Sequence, residues 1–184
     1  MSNNKNIYII SGPSGVGKDT VIKKLNDKLK NIQLITTVTT RAIRKNEKNN
    51  IDYIFVTESQ FQNLIDENKL IEWSKVYGNY YGVPKDQIKN GIKNNIIIKT
   101  DIQGVRKLKN KIKNATTIFI MPPDIQTLLR RLESRKTDSS DEIKKRTKIA
   151  EDEIKEHIDF DHTIVNYEDK LEKTITNLEN IINN

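Results

Sequence analysis

The chain has 184 residues, with 32 lysines and arginines against 25 acidic residues and a formal charge of +7. That length suits one α/β domain with small inserts, and the lack of any cysteine excludes disulfides, thiolate metal sites and cysteine nucleophiles. No apolar run is longer than Ile7–Ile10 or Ile118–Met121, too short for a membrane span or a signal-peptide core, so a soluble, cytoplasmic protein is expected.

In chain order, residues 6–10 read as a short buried strand that runs into Ser11-Gly-Pro-Ser-Gly-Val-Gly-Lys-Asp-Thr20. Val21, Ile22, Leu25 and Leu29 then recur at helical spacing. Residues 33–38 predict a second strand, 53–56 a third, 58–68 a helix with Phe61, Leu64 and Ile65 on one face, and 70–76 an extended segment. Tyr77-Gly-Asn-Tyr-Tyr-Gly82 reads as an aromatic turn, and 84–93 as a helix opened by proline. Residues 95–100 and 116–121 predict buried parallel strands. Pro122-Pro123 opens a helix through Arg135, a polar hinge covers 136–141, and a charged helix continues to about Ile158. A final strand at 163–165 and a helix at 171–182 close the chain. Strands alternating with helices predict an α/β fold with a mostly parallel sheet covered on both faces. The stretches 36–85 and 130–156 fit that core poorly and read as inserted flaps.

Gly12-x4-Gly17-Lys18, set between a strand and a helix, is the pattern of a phosphate-binding loop. Its backbone amides and the helix N-terminus attract phosphate oxygens, and Lys18 adds a mobile charge for the β- and γ-phosphates. The loop, Gly12, Pro13, Ser14, Gly15, Val16, Gly17 and Lys18, therefore predicts a nucleoside triphosphate but says nothing of the acceptor. The hydroxyl that commonly follows the lysine and ligates Mg²⁺ is replaced by Asp19, with Thr20 next. A carboxylate can also hold Mg²⁺, so Asp19 is a candidate metal ligand.

Arginine is scarce, with 7 residues against 25 lysines, and it clusters at Arg41 and Arg44 and again at Arg130, Arg131, Arg135 and Arg146. Those clusters mark places where a planar, bidentate fork is wanted for phosphate or carboxylate. The basic run from Arg106 to Lys113 has no interleaved aromatics and reads as a solvated helix face, which gives no expectation of nucleic-acid binding.

Further segments carry a resemblance: Thr39-Thr-Arg41 with Arg44, Glu47 and Asp52-Tyr-x-Phe-Val56; Glu72-Trp73; Gly78-Asn-Tyr-Tyr-Gly82; Asp101-x-Gln-Gly104; Arg131-Leu-x-x-Arg135; and Ile164-Val-Asn166. Taken with the phosphate loop, in this order and spacing, they resemble guanylate kinase over most of the chain. The resemblance implies a P-loop NTPase-type parallel sheet flanked by helices, as a single domain. Its core would be 1–35, 86–129 and 157–184, with a GMP-binding insert at 36–85 and a helical lid at 130–156. It implies ATP as donor, GMP as acceptor and Mg²⁺ as cofactor. Arg41, Arg44, Tyr53 and Tyr81 would grip the GMP phosphate. Glu72 would read the guanine edge, helped by Asp101 and Thr37. Asp19, Thr20, Arg131 and Asn166 would join the loop in binding ATP, and Lys18, Arg41, Arg135 and Arg146 would serve the transferring phosphoryl group.

Each of these has a plainer alternative. Tyr53 and Tyr81 could be strand aromatics, Glu72 a solvated strand carboxylate and Asp101 a helix cap, and Trp73 reads as core. His157 and His162 read as surface or structural. Three positions depart from the family pattern. Asp19 replaces a serine, Lys99 an aspartate, and Val83 a serine or threonine. The opposite charges of the first two suggest exchanged roles. Asp after the loop lysine and Tyr-Tyr-Gly-Val also resemble ribose 1,5-bisphosphate phosphokinase, while guanylate-kinase-like scaffolding modules bind peptides without catalysis. Oligomeric state is not legible.

Overall fold

The computed structural model describes residues 5–91, 93, 95–134 and 140–183. Its strands are β1 (Asn6–Ser11), β2 (Ile32–Ile35), β3 (Val38–Thr39), β4 (Ile54–Phe55), β5 (Leu70–Val76), β6 (Asn79–Pro84), β7 (Asn95–Lys99), β8 (Thr116–Met121) and β9 (His162–Val165). The helices are α1 (Lys18–Lys28), α2 (Glu58–Asp66), α3 (Lys85–Lys89), α4 (Ile102–Lys111), α5 (Ile125–Glu133), α6 (Ser140–Lys155) and α7 (Leu171–Asn183), with a 3₁₀ turn at Glu156–Asp159. The chain divides into two units. One takes in the chain up to Ile9 with Asn31–Thr116, and the other Ile10–Lys30 with Thr117–Asn184.

In the first unit the central-sheet strands follow the order β2-β7-β1, with β2 parallel to β7. Ile96, Ile97 and Ile98 are buried on both faces of β7, the signature of a covered parallel sheet. A second sheet follows the order β4-β3-β6-β5, and β5 and β6 form its antiparallel hairpin. Thr57 caps α2 in a reciprocal capping box with Gln60, worth about 1 kcal/mol. That helix lays Phe61, Leu64 and Ile65 on the small sheet, against Val38, Leu70 and Tyr80.

In the second unit the order is β1-β8-β9, with β8 parallel to β9. Ile118, Phe119 and Ile120 are buried there, together with Leu128 and Leu132 of α5 and Leu178 of α7. The α/β architecture with a parallel central sheet and flanking helices is thus as expected.

Several elements differ from the sequence reading. The single strand expected at 33–38 is two, in different sheets. The break is bridged by Gln87, whose Oε1 accepts from the Thr36 amide at 2.8 Å while its Nε2 donates to the Thr36 carbonyl at 3.2 Å. The aromatic segment at 77–82 is mostly strand β6. Only Tyr77-Gly78 turns, both at positive φ, as a two-residue hairpin loop of type I′ requires. The helix expected over 84–93 stops at Lys89, before Asn90 and Gly91. The charged helix ends at Lys155 and gives way to the 3₁₀ turn. Of the expected hinge, 136–139 lie outside the described residues.

Candidate active site

In the second unit β1 delivers the chain to the phosphate loop, and α1 starts at Lys18. Gly17 is the helix N-cap at φ 96°, a left-handed conformation that side chains resist. A Cβ there would also fall 2.7 Å from Asn166 Nδ2. Lys18 Nζ folds over its own loop, donating to the carbonyl of Gly12 and, at 3.1 Å, to that of Pro13. The Val16 carbonyl accepts from Asn166 Nδ2 at 2.8 Å and from Arg131 Nη1 at 3.0 Å, and Arg131 Nη2 donates to the Asn166 carbonyl at 3.1 Å. Two residues expected at ATP therefore brace the loop's backbone from α5 and from the end of β9.

Beside the loop is a cavity of about 330 Å³ lined by Gly15, Gly17, Thr20, Arg131, Asn166 and Tyr167, among others. Asp19 and Thr20 are exposed in the first turn of α1, Ser14 is partly exposed, and the Val16 side chain is buried. Arg146 is half-buried on α6. Arg135 lies outside the described residues. No cluster of three or more histidine or acidic groups suited to a metal occurs among the described residues.

In the first unit Arg41 and Glu47 form a two-pronged pair, Nη2 to Oε1 at 2.8 Å and Nη1 to Oε2 at 3.0 Å. The Arg44 amide donates to the same carboxylate at 2.9 Å. Burial works to raise the Glu47 pKa, but these hydrogen bonds and the two arginine charges outweigh it and hold the group below the usual carboxylate range. The Arg41 guanidinium stands 5.3 Å from the Tyr53 ring centre, Tyr53 meets Tyr81 edge-on at 6.2 Å, and the Lys99 ammonium lies 3.8 Å over Tyr53. Cations and phenols thus converge around Tyr53, an arrangement able to bind a phosphate dianion. Thr37 is buried, its hydroxyl donating to the Lys99 carbonyl at 3.1 Å.

Glu72 is the outlier. It is 2% exposed, and among the described residues neither carboxylate oxygen has a hydrogen-bond donor in good geometry. Burial first, and the neighbouring Asp101 second, push its pKa up to about 7, while Lys107, Lys111 and the Thr100 hydroxyl pull the other way. Asp101 accepts from the Gly104 amide at 3.0 Å as the N-cap of α4, and from the Ser74 hydroxyl. The plainer reading of Asp101 therefore holds, without removing it from Glu72's surroundings. A Cβ on Gly104 would sit 2.1 Å from Thr100 Oγ1 and 3.0 Å from Glu72 Oε2, so only glycine lets the helix start come this close.

The Guanylate kinase family profile matches residues 4–184. The chain belongs to the guanylate kinase family. It is 38% identical to the guanylate kinase of Rickettsia prowazekii over 178 residues, covering 96% of this chain and 89% of that protein. Against guanylate kinase 2, chloroplastic/mitochondrial, of Oryza sativa subsp. japonica it is 38% identical over 179 residues, but spans only 63% of that longer protein. The crystal structure of guanylate kinase from Anaplasma phagocytophilum superposes with a TM-score of 0.81 at 32% identity, covering all of this chain and 87% of the other.

Within the guanylate kinase frame, one expectation fails outright. Trp73 is 38% exposed rather than core. Side chains alternate along a strand, so burying Leu70, Glu72 and Ser74 turns Trp73 outward, where Lys107 lies over its ring at 5.4 Å. The resemblance included Glu47 without giving it a role, and here it orients Arg41; Ser74, which holds Asp101, was not marked at all. An acidic residue six positions after an arginine, in a loop containing a second arginine, was the available signal for Glu47.

Proposed function

We propose that this chain transfers the γ-phosphoryl group of ATP to GMP, giving ADP and GDP, by direct in-line displacement. The observation that carries the reading is the buried Glu72 carboxylate, whose two oxygens lack a well-formed hydrogen bond among the described residues, with the Thr100 hydroxyl close by. Guanine presents N1–H and an N2 amino group along one edge, two donors for two acceptor oxygens. Adenine has neither donor there and would leave the carboxylate buried and unpaired, a strong basis for discrimination. Arg41, Arg44, Tyr53 and Tyr81 would hold the acceptor phosphate, with Asp101 and Thr37 supporting the base. Residues 36–85 would form the acceptor-binding insert and 130–156 the lid.

The chemistry needs no covalent intermediate and no strong base. Lys18 would neutralise developing charge on the phosphates, and Arg131, Arg135 and Arg146 would do so from the lid while excluding water. Asp19 and Thr20, two exposed oxygen donors in the first turn of α1, suit Mg²⁺, which takes one or two protein oxygens beside phosphates and waters. When bound, Mg²⁺ would neutralise and orient the ATP phosphates. Among the described residues no helix is long and apolar enough to cross a membrane. A cysteine-free kinase acting on free nucleotides fits the cytoplasm.

The test is turnover with ATP against GMP, AMP and ribose 1,5-bisphosphate, for the native chain and for Glu72→Gln. GMP should be strongly preferred, and the substitution should lower kcat/KM for GMP by about 10²-fold while narrowing the preference over AMP. Equal GMP turnover in Glu72→Gln would overturn the base assignment. Preference for the sugar bisphosphate would shift the chain to the sugar kinase reading, and absence of ATP turnover to a binding module.

A further inference from the structure

Strand β5 is the edge of the small sheet and, among the described residues, pairs only with β6. An edge strand leaves a row of backbone carbonyls in search of donors. Two of them are met from α4. Lys111 Nζ donates to the Ile71 carbonyl and Lys107 Nζ to the Trp73 carbonyl. The spacings match. Residues four apart on a helix rise about 6 Å, and residues two apart on a strand about 6.7 Å, so both contacts form at once. Glu72 lies between the two anchored carbonyls.

The same stretch contains an irregularity. Leu70 pairs with Pro84 and Glu72 with Val83, leaving Ile71 as an extra residue in a bulge. Bulges re-aim the side chains beside them and leave the extra residue unpaired in the ladder. Lys111 fastens the bulged residue's carbonyl, and Lys107 fastens the position on the far side of Glu72. The lysine face of α4, which the sequence presents as solvated, is therefore committed at two positions.

We propose that Lys107 and Lys111 are positioning residues for guanine selection: they clip the bulged edge of β5 and so fix where the Glu72 carboxylate is presented. This rests on Glu72 being the guanine acceptor. The two ammonium groups also favour the ionised carboxylate against the opposing charge of Asp101, the three charges that weigh most on it among the described residues. A rival account makes the lysines mere guards against edge-to-edge pairing.

The test compares Lys107→Met/Lys111→Met, which keeps the apolar stems, with Lys107→Arg/Lys111→Arg, measuring kcat and KM for GMP, AMP and ATP across pH. The methionine protein should show KM for GMP raised about tenfold, kcat and KM for ATP little changed, and a smaller GMP-over-AMP preference. The midpoint of the acid limb of kcat/KM for GMP should move up by roughly half a pH unit. The arginine protein should recover most of both effects. If the methionine protein loses thermal stability or associates, yet keeps the native GMP preference and pH midpoint, the lysines are edge guards and the proposal fails. Should the double variant not fold, Lys111→Met alone is read the same way. A native chain without GMP preference would instead sink the underlying reading of Glu72.

Discussion

The Lys99 ammonium lies 3.8 Å above the ring centre of Tyr53, the ring that Arg41 and Tyr81 also approach. Lys99 itself is only 8% exposed. On the proposed function, a cation held there would add to the charge around an acceptor phosphate beside Tyr53.

Lys99→Met is therefore expected to weaken GMP binding about tenfold while leaving guanosine binding unchanged, measured by calorimetry. Equal losses for GMP and guanosine would show that the cation–ring contact only supports the fold. The opposite departures at Asp19 and Lys99 also make a double-mutant cycle informative. The protein with both Asp19→Ser and Lys99→Asp should keep more activity than either single variant, and additive losses would refute any exchange of roles.

Glu72 makes stability and function respond oppositely to pH. Its proton is held up to about pH 7 in the folded chain, against an ordinary value of 4.5. Its contribution to stability is thus whole below pH 4.5 and is lost as pH rises through 7, a change of about 3 kcal/mol at most. Nucleotide-free Glu72→Gln should then melt higher than the native chain at pH 8 and nearly equal to it at pH 4.5. If Glu72 reads guanine as proposed, recognition would use the ionised form and should strengthen as pH rises through 7. Val83 is buried directly opposite Glu72 across the hairpin, so Val83→Thr can bring a hydroxyl to the same face. That substitution should shift the acid limb of kcat/KM for GMP to lower pH, and an unmoved limb would argue that the hydroxyl never reaches the carboxylate.

The phosphate loop offers a separable test. Gly17→Ala would place a methyl group 2.7 Å from Asn166 Nδ2 at a φ of 96°, disturbing the donor that holds the Val16 carbonyl. The conformation alone costs about 1–2 kcal/mol. The expected result is a KM for ATP raised about tenfold or more with guanosine binding intact, read by steady-state kinetics and calorimetry. Unchanged KM for ATP would show that the loop tolerates reshaping at its helix end.

What the sequence disclosed follows from range. Gly12, Gly17 and Lys18 act through local backbone geometry, so their spacing was enough to announce a phosphate cradle. Glu72 was marked by its place before the aromatic-glycine segment, although nothing local reveals that it would be buried without a partner. The strand break at Thr36 was invisible because the group that makes it, Gln87, is 51 residues away. Trp73 was misplaced because hydrophobicity outweighed the alternation that an inward Glu72 imposes. Lys107 and Lys111 looked like ordinary surface lysines because a sequence does not disclose which carbonyl a long side chain will reach.

The Gln87 amide imitates, atom for atom, the donor and acceptor that a neighbouring strand would have offered Thr36. One continuous stretch of chain can consequently leave one sheet and enter another without exposing a raw backbone end. The junction is a spot weld of a single side chain, so a leucine at that position would orphan two main-chain groups together and soften the seam while leaving each sheet's own packing intact.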